Sequence, residues 1–125
     1  MRMAPKPSNP FQRTFLVPLV RDVQVNGQKT NLLINTGIAT SVAFSSATAK
    51  KVNLPIATDS EGREEKITLR FESSEMTDVP AWIYAKGTSA DQSLSKYGAV
   101  AGSLFLQQFV AIFDYRKGVV VLERI

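Results

Sequence analysis

The chain has 125 residues, of which 44% are hydrophobic, and its 15 Lys and Arg residues exceed its 11 Asp and Glu residues to give a net charge of +4. This length accommodates one domain with a modest core. Because the chain has no cysteine and no histidine, disulfide bonds, thiolate metal sites and Ser-His-Asp or Cys-His catalysis are excluded, and carboxylates become the leading catalytic option.

The basic residues are dispersed along the chain and are not interleaved with aromatic residues. Many protein surfaces that bind nucleic acid do combine clustered basic residues with aromatic ones. No apolar run approaches the roughly 20 residues of a transmembrane helix. The opening "MRMAPKPSNP" lacks the hydrophobic segment of a signal peptide. We therefore predict a soluble domain with no nucleic-acid partner and no membrane contact, in an unknown compartment. A small basic β-barrel that binds nucleic acid is the weakest of three functional hypotheses.

The first elements in chain order are a flexible segment and a hairpin. Residues 1–10 are rich in proline and polar residues, which predicts a flexible N-terminal segment before a domain that spans residues 11–125. "TFLVPLV" and "DVQVNGQKTNLLI" are strand-like around Asn26-Gly27, a dipeptide typical of tight hairpin turns. The second strand leads directly into Asn35-Thr36-Gly37, which we expect to be held rigidly at the end of a buried strand.

The middle of the chain predicts one helix and a second pair of strands. Ser45 is a suitable N-cap for a short helix in "SSATAKKV". The polar residues from Asp59 to Arg63 suit an exposed hairpin tip. "KITLRFE" and "VPAWIYA" are strand-like, with residues 73–78 as a turn between them.

The last third predicts a loop, a helix and three strands. "KGTSADQSLSKYG" is polar and typical of a loop, whereas "GAVAG" is a strand of small residues. "SLFLQQF" is a short helix that begins at Ser103, and two strands follow around a turn at residues 114–118. The order predicts a mostly β fold, a small closed β-barrel with two short helices.

Four of these segments, in this order, make the chain resemble the retropepsin-like aspartic proteases, the retroviral-type, single-lobe relatives of pepsin. They are the hairpin "VQVNGQKTNLLI" with "NTGIATS", the helix "SSATAKKVNL", the strand and helix "YGAVAGSLFLQQF", and the closing hairpin "VAIFDYRKGVVVL". Asn-Thr-Gly alone is more often an ordinary turn. The ordered set covers nearly everything from Phe15 to Leu122.

The resemblance implies an aspartic endopeptidase of the acid protease fold that needs no metal and no cofactor. Asn35 has the position of the catalytic aspartate, and Thr36 and Gly37 complete the catalytic triplet. Because the chain has a single triplet, the resemblance implies a homodimer that acts on a peptide or protein substrate. The implied substrate-binding residues are Ile38 and Ala39 after the triplet, Ser60, Glu61 and Gly62 in a flap, and Val100 and Ala101 in the small-residue strand. The alternative interpretation of residues 59–63 is an ordinary surface loop that does not cover a substrate.

A carboxamide cannot act as the general base, so a dimer with Asn35 on both sides is expected to be catalytically inactive. Two explanations remain open. An engineered Asp-to-Asn substitution in an active enzyme is favoured because Thr36, Gly37 and Ser41 remain in place. A natural pseudoprotease that binds or scaffolds peptides is the alternative, because Ile38 and Ala101 depart from the family pattern.

Overall fold

The computed structural model describes residues 2–3, 19–58, 60–71, 74–114, 116 and 119–124. These residues contain nine strands and three helices. The strands are β1 (Arg2–Met3), β2 (Leu19–Val25), β3 (Gln28–Ile34), β4 (Val42–Phe44), β5 (Gly62–Phe71), β6 (Ser74–Tyr84), β7 (Ala99–Ala101), β8 (Phe109–Asp114) and β9 (Val119–Arg124). The helices are α1 (Ser46–Lys51), α2 (Ser89–Leu94) and α3 (Ser103–Leu106).

Six strands form a closed barrel in the order β2-β3-β7-β4-β6-β5, and the remaining three form a separate sheet in the order β1-β9-β8. The predicted mostly β fold with a closed barrel is therefore confirmed. The β2–β3 hairpin turns at Asn26 and Gly27, whose φ angles are 49° and 85°. These positive angles are the reason that Asn-Gly is favoured in this kind of turn.

The centre of the barrel joins strands that are distant in sequence. Strand β3 pairs in parallel with β7, with Leu33 opposite Val100 and Ile34 opposite Ala101. Strand β7 pairs in the antiparallel sense with β4, which itself runs parallel to β6. This arrangement fixes the end of β3, and therefore the residues that follow it, against the small-residue strand.

The core lies on both faces of the central strands. Leu32 and Ile34 belong to the main buried cluster, whereas Leu33 packs on the other face in a second cluster with Val100 and Leu94. The sequence of a strand that is buried on both faces is a continuous run of apolar residues, which accounts for "LLI" before the triplet.

Helix α3 is anchored to the core by an aromatic group. The ring of Phe105 lies 5.3 Å from that of Phe109 and 6.4 Å from that of Phe71, measured between ring centroids. Phe105 is 1% exposed. Burial of a side chain of this size stabilises the fold by about 1.5–3 kcal/mol.

The prediction of two helices was wrong, because α2 forms a third helix where the sequence predicted a loop. Its N-cap is Thr88, whose hydroxyl accepts a hydrogen bond from the backbone N–H of Asp91. The helix is short and buries only Asp91 and Leu94, so its sequence has no apolar periodicity that would indicate a helix.

The second hairpin also differs from the prediction. Residues 74–78 belong to strand β6 and not to a turn, and the two strands of the hairpin meet between Phe71 and Ser74. Asp78 has a φ of 54° at an irregularity in the strand register, and such a bulge lets β6 continue through a polar segment.

The predicted hairpin tip at residues 59–63 was also wrong. Gly62 is already the first residue of β5 and pairs with Tyr84, at the end of the hairpin away from its turn. Asp59 lies outside the described residues.

The predicted division into residues 1–10 and 11–125 stays a prediction. Arg2 and Met3 form β1, which pairs with Val121 and Val120 of β9. Residues 4–18, which contain the predicted boundary, lie outside the described residues.

Candidate functional site

The triplet begins directly after the last residue of β3. The backbone N–H of Asn35 donates to the carbonyl oxygen of Ala101 at 3.0 Å, which continues the pairing of β3 with β7. The side-chain Oδ1 of Asn35 accepts a hydrogen bond from the backbone N–H of Gly37 at 2.9 Å. The Asn35 side chain is therefore oriented by the triplet itself, in the manner of an Asx turn.

The loop after Asn35 faces solvent in the single chain. Asn35 is half-buried, whereas Thr36, Gly37, Ile38 and Ala39 are exposed. Ile38 is 36% exposed, a large fraction for an apolar side chain beside a polar triplet. The four exposed residues are available to another molecule.

Backbone hydrogen bonds fasten this loop to the start of α3. The N–H of Ser103 donates to the carbonyl oxygen of Ile38 at 2.8 Å, and that of Leu104 donates to the carbonyl oxygen of Thr40 at 3.0 Å. The N–H of Gly102 donates to the carbonyl oxygen of Ser41 at 2.8 Å. Because the first amides of a helix have no partner within it, the loop supplies acceptors that α3 would otherwise lack.

Gly102 allows this close approach. A Cβ atom at this position would lie 2.5 Å from the carbonyl oxygen of Thr40 and 2.6 Å from that of Ile38. Both neighbours are backbone atoms, which cannot rotate away as the end of a side chain can. The close backbone contact therefore explains why position 102 requires glycine, and the sequence motif alone did not reveal this.

Val100 and Ala101 lie next to the triplet strand but are 2% and 0% exposed. They support Asn35 from within the barrel. A direct contact with a peptide would require these side chains to be uncovered, so their predicted role in substrate binding stays a prediction.

The predicted flap residues are held by another strand pair. Ser60 and Glu61 are exposed, and Gly62 is buried against β6. A Cβ atom at Gly62 would collide with the carbonyl oxygen of Ile83 and the indole ring of Trp82. The structure therefore fixes Gly62 through β6, whereas β7 and α3 fix the triplet, and the flap role stays a prediction.

The sequence analysis did not predict the structural role of Asp91, which accepts hydrogen bonds from two other segments of the chain. Its Oδ1 accepts a hydrogen bond from the backbone N–H of Ser46 at 2.6 Å, and its Oδ2 accepts from the Ser46 hydroxyl at 3.0 Å and the Gly87 N–H at 3.1 Å. Asp91 therefore joins α2 to the first turn of α1. The pattern of Thr88 followed three residues later by an acidic residue is a helix-start signal that was available in the sequence.

The environment of Asp91 lowers its pKa. Burial of the carboxyl alone would raise the pKa, but hydrogen bonds from Ser46 and Gly87 and the positive charge of Lys86 outweigh that effect. The charged form is therefore the one that the fold stabilises.

We expect Asp91→Asn to lower the free energy of unfolding at pH 7 by about 1–3 kcal/mol, because an amide group would face backbone donors. Since the folded pKa lies below the unfolded value of 3.8, the stabilisation is complete above that value and is lost as pH falls through the folded pKa. Urea unfolding of both proteins at pH 7 and at about pH 3 measures the difference. Asp78→Asn, at an exposed carboxylate, is the control. Equal effects of Asp91→Asn at the two pH values would contradict this account.

Within the described residues, no group of three or more acidic side chains converges to hold a metal ion. The helices among those residues are all too short to cross a membrane.

Comparison with solved structures shows that the chain has the fold of the retropepsin-like aspartic proteases. One similar structure is the crystal structure of a retropepsin-like aspartic protease from Rickettsia conorii, with a TM-score of 0.64 over 98% of this chain and 88% of that chain. The two sequences are 14% identical, so the likeness is one of fold. No protein-family model and no curated protein matches the sequence.

Proposed function

We propose that the chain is one subunit of a homodimeric aspartic endopeptidase of retropepsin type, in which Asn35 has replaced the catalytic aspartate and removed activity. The hydrogen bond from the Gly37 N–H to Asn35 Oδ1, at 2.9 Å, carries the proposal. A carboxylate oxygen accepts the same bond, so this loop suits an aspartate as well as an asparagine. Peptide binding is expected to persist without cleavage.

The chemistry that such a site performs needs two carboxylates. Two aspartates close together share one proton, because like charges at short distance cannot both ionise. One carboxylate then takes a proton from the attacking water while the other donates to the carbonyl oxygen of the scissile bond. Asn35 can donate a hydrogen bond but cannot take the proton from water.

The second half of the site has to come from a second chain, because this one carries a single triplet. Exposed apolar side chains support a self-complementary contact on the side of the triplet. Ile38 lies in the triplet loop, and Leu104, which is 55% exposed, is hydrogen-bonded to that loop through its backbone.

We expect the chain to form a dimer at micromolar concentration, and a statine-containing peptide to bind with the same concentration dependence as dimer formation. Leu104→Asp should weaken the dimer by about tenfold or more, since a carboxylate would be buried without a partner. Sedimentation velocity and peptide titration by calorimetry measure both. Ile56→Asp is the control, because Ile56 is 62% exposed and makes no backbone hydrogen bond to the triplet loop.

A chain that stays monomeric at all accessible concentrations would refute the shared site. A dimer that binds no extended peptide, including statine-containing ones, would refute the proposal that a peptide-binding cleft lies beside the two triplets. Loss of the dimer in Ile56→Asp as well as Leu104→Asp would move the interface away from the triplet.

A natural pseudoprotease that binds or scaffolds peptides is the second candidate. It is supported by Ile38, where an exposed branched side chain takes a position that the resemblance gives to alanine or serine. Both candidates require the same dimer and cleft. They differ in the residue that the native gene encodes at position 35, and determining that residue separates them.

A further inference from the structure

A pocket of about 260 Å³ lies on a part of the barrel that the proposed peptide site does not use. Its walls are the start of β3, the end of α1 and the turn after α2, which contribute Lys29, Lys51 and Lys96 respectively. Among the residues that the structure describes, Asp22 is the one acidic residue that lines it. The pocket therefore gathers three lysines that are far apart in the sequence.

This pocket is separate from the triplet. It is lined by Lys29, Thr30 and Asn31 at the beginning of β3, whereas Asn35 follows the end of that strand. Four residues of extended chain span about 13 Å. A ligand in the pocket and a peptide at the triplet would consequently occupy different sites.

The positive charge of the three lysines is not neutralised by the described acidic residues that line the pocket. Within the residues that the structure describes, none of the three lysines lies within salt-bridge distance of a carboxylate. Among the described lining residues, Asp22 offsets one of the three lysine charges and leaves a local excess of two positive charges. Like charges around a small cavity repel one another, and a bound anion would relieve this repulsion.

Hydrogen bonds hold the wall of the pocket in place. The carbonyl oxygen of Gly98 accepts a bond from the Ser45 N–H at 2.9 Å, and the Gly98 N–H donates to the Leu94 carbonyl oxygen at 2.9 Å. Gly98 has a φ of 92°, and a Cβ atom there would lie 2.8 Å from Thr48 Oγ1, which also lines the pocket. The turn after α2 is therefore tied to α1 before any ligand arrives, and such preorganisation favours binding.

We propose that this pocket binds the phosphate group of a small molecule. Lysine ammonium groups bind phosphate as point charges, and three lysines are among the described residues that line the pocket. Tyr97 adds a hydroxyl group that can donate to a phosphate oxygen, whereas the Ser95 hydroxyl already donates to the carbonyl oxygen of Gln92 at 2.7 Å. The volume is at the low end for ligand pockets, which favours a compact anion.

The test is a titration of the ¹⁵N-labelled chain with inorganic phosphate at constant ionic strength, followed by NMR. Amide signals of Asn31, Lys96 and Gly98 should shift with one common saturation curve, and the Gly37 signal should not. Lys51→Gln should weaken binding by about tenfold, the effect of losing one charged hydrogen-bond partner. Lys50→Gln is the matched control, because Lys50 is the exposed neighbour on the same helix and does not line the pocket.

Lys96→Gln is a second test variant, and the unchanged NMR spectrum of each variant without phosphate verifies its fold. Equal weakening by Lys50→Gln and Lys51→Gln would overturn the proposal, because general surface charge would then account for the binding. Acetate that binds as well as phosphate would also overturn it. A single-stranded oligonucleotide that binds much more tightly than phosphate and shifts signals across the surface would replace it with a nucleic-acid site.

Discussion

The variant Asn35→Asp is expected to cleave peptides, whereas the present chain is expected to cleave none. General acid–base catalysis contributes about 10²–10⁴-fold to rate, and a carboxamide at position 35 cannot act as the base. The Gly37 N–H that holds Asn35 Oδ1 at 2.9 Å would hold a carboxylate oxygen equally well, so the substitution should not disturb the loop. Activity should be highest at acidic pH, because the pair works only while it shares one proton.

The same variant should alter how the dimer responds to pH. The carboxyl that holds the shared proton has its pKa raised by its neighbour, so its contribution is complete below the pKa of the separated chains and lost as pH rises through the raised value. A dimer of the present chain, with Asn35 on both sides, would lack this contribution and should have a flatter pH profile. Dimer dissociation curves from about pH 4 to 8, which span the titration of a coupled carboxyl, measure the difference.

Cleavage of a mixed peptide library over that range, read by mass spectrometry, is the decisive measurement for Asn35→Asp. Asn35→Ala is the control and should bind peptide without cutting it. An Asn35→Asp protein that forms the dimer and cuts nothing would refute the endopeptidase proposal and leave the peptide-binding module in its place.

The second large effect is expected from Gly102→Ala. The new methyl group would press against the carbonyl oxygens of Thr40 and Ile38, at 2.5 and 2.6 Å, and the loop after the triplet would have to move. Overpacking of this kind costs about 1–3 kcal/mol, and we expect a value near the upper end because both obstacles are backbone atoms. Urea unfolding measures the loss, and the NMR signals of residues 36–41 should shift.

Gly87→Ala is the matched control for that variant. Gly87 has a φ of 86°, and among the described residues no atom beyond its own chain neighbours lies within 4 Å of the point that an alanine methyl group would occupy. Its substitution therefore introduces backbone strain without a collision. It should cost about 1–2 kcal/mol and leave the signals of the triplet loop unchanged. If both variants lose the same stability and neither moves the loop signals, the close approach at Gly102 is not what holds the triplet.

The parts of the fold that were predictable depend on short stretches of chain. Asn26-Gly27 favours the positive φ angles of a tight turn wherever it occurs, and the β2–β3 hairpin followed. Ser45 caps α1 through the Thr48 N–H three residues later, which is a local interaction that the sequence contains in full. The position of Asn35 directly after a buried strand followed from the apolar run before it.

Contacts between distant segments decided the rest. Strand β6 continues past Asp78 because a bulge in its pairing with β5 accommodates the positive φ of that residue. Helix α2 forms although it has little apolar surface, because Asp91 bonds to Ser46, 45 positions away. The distant partners of Asp78 and Asp91 cannot be inferred from the local pattern, although Thr88 and Asp91 form a local helix-start signal. A strand was therefore predicted as a turn, and a helix as a loop.

The candidate sites show the same division. The sequence by itself determined the residue types of the triplet, and with them the expectation that Asn35 cannot act as a general base. Only the tertiary structure buried Val100 and Ala101 behind the triplet, gave Gly102 its role against the loop, and brought Lys29, Lys51 and Lys96 around one pocket. The physical reason is that side-chain chemistry is a property of each residue, whereas burial and charge clustering depend on which strands pair when the barrel closes.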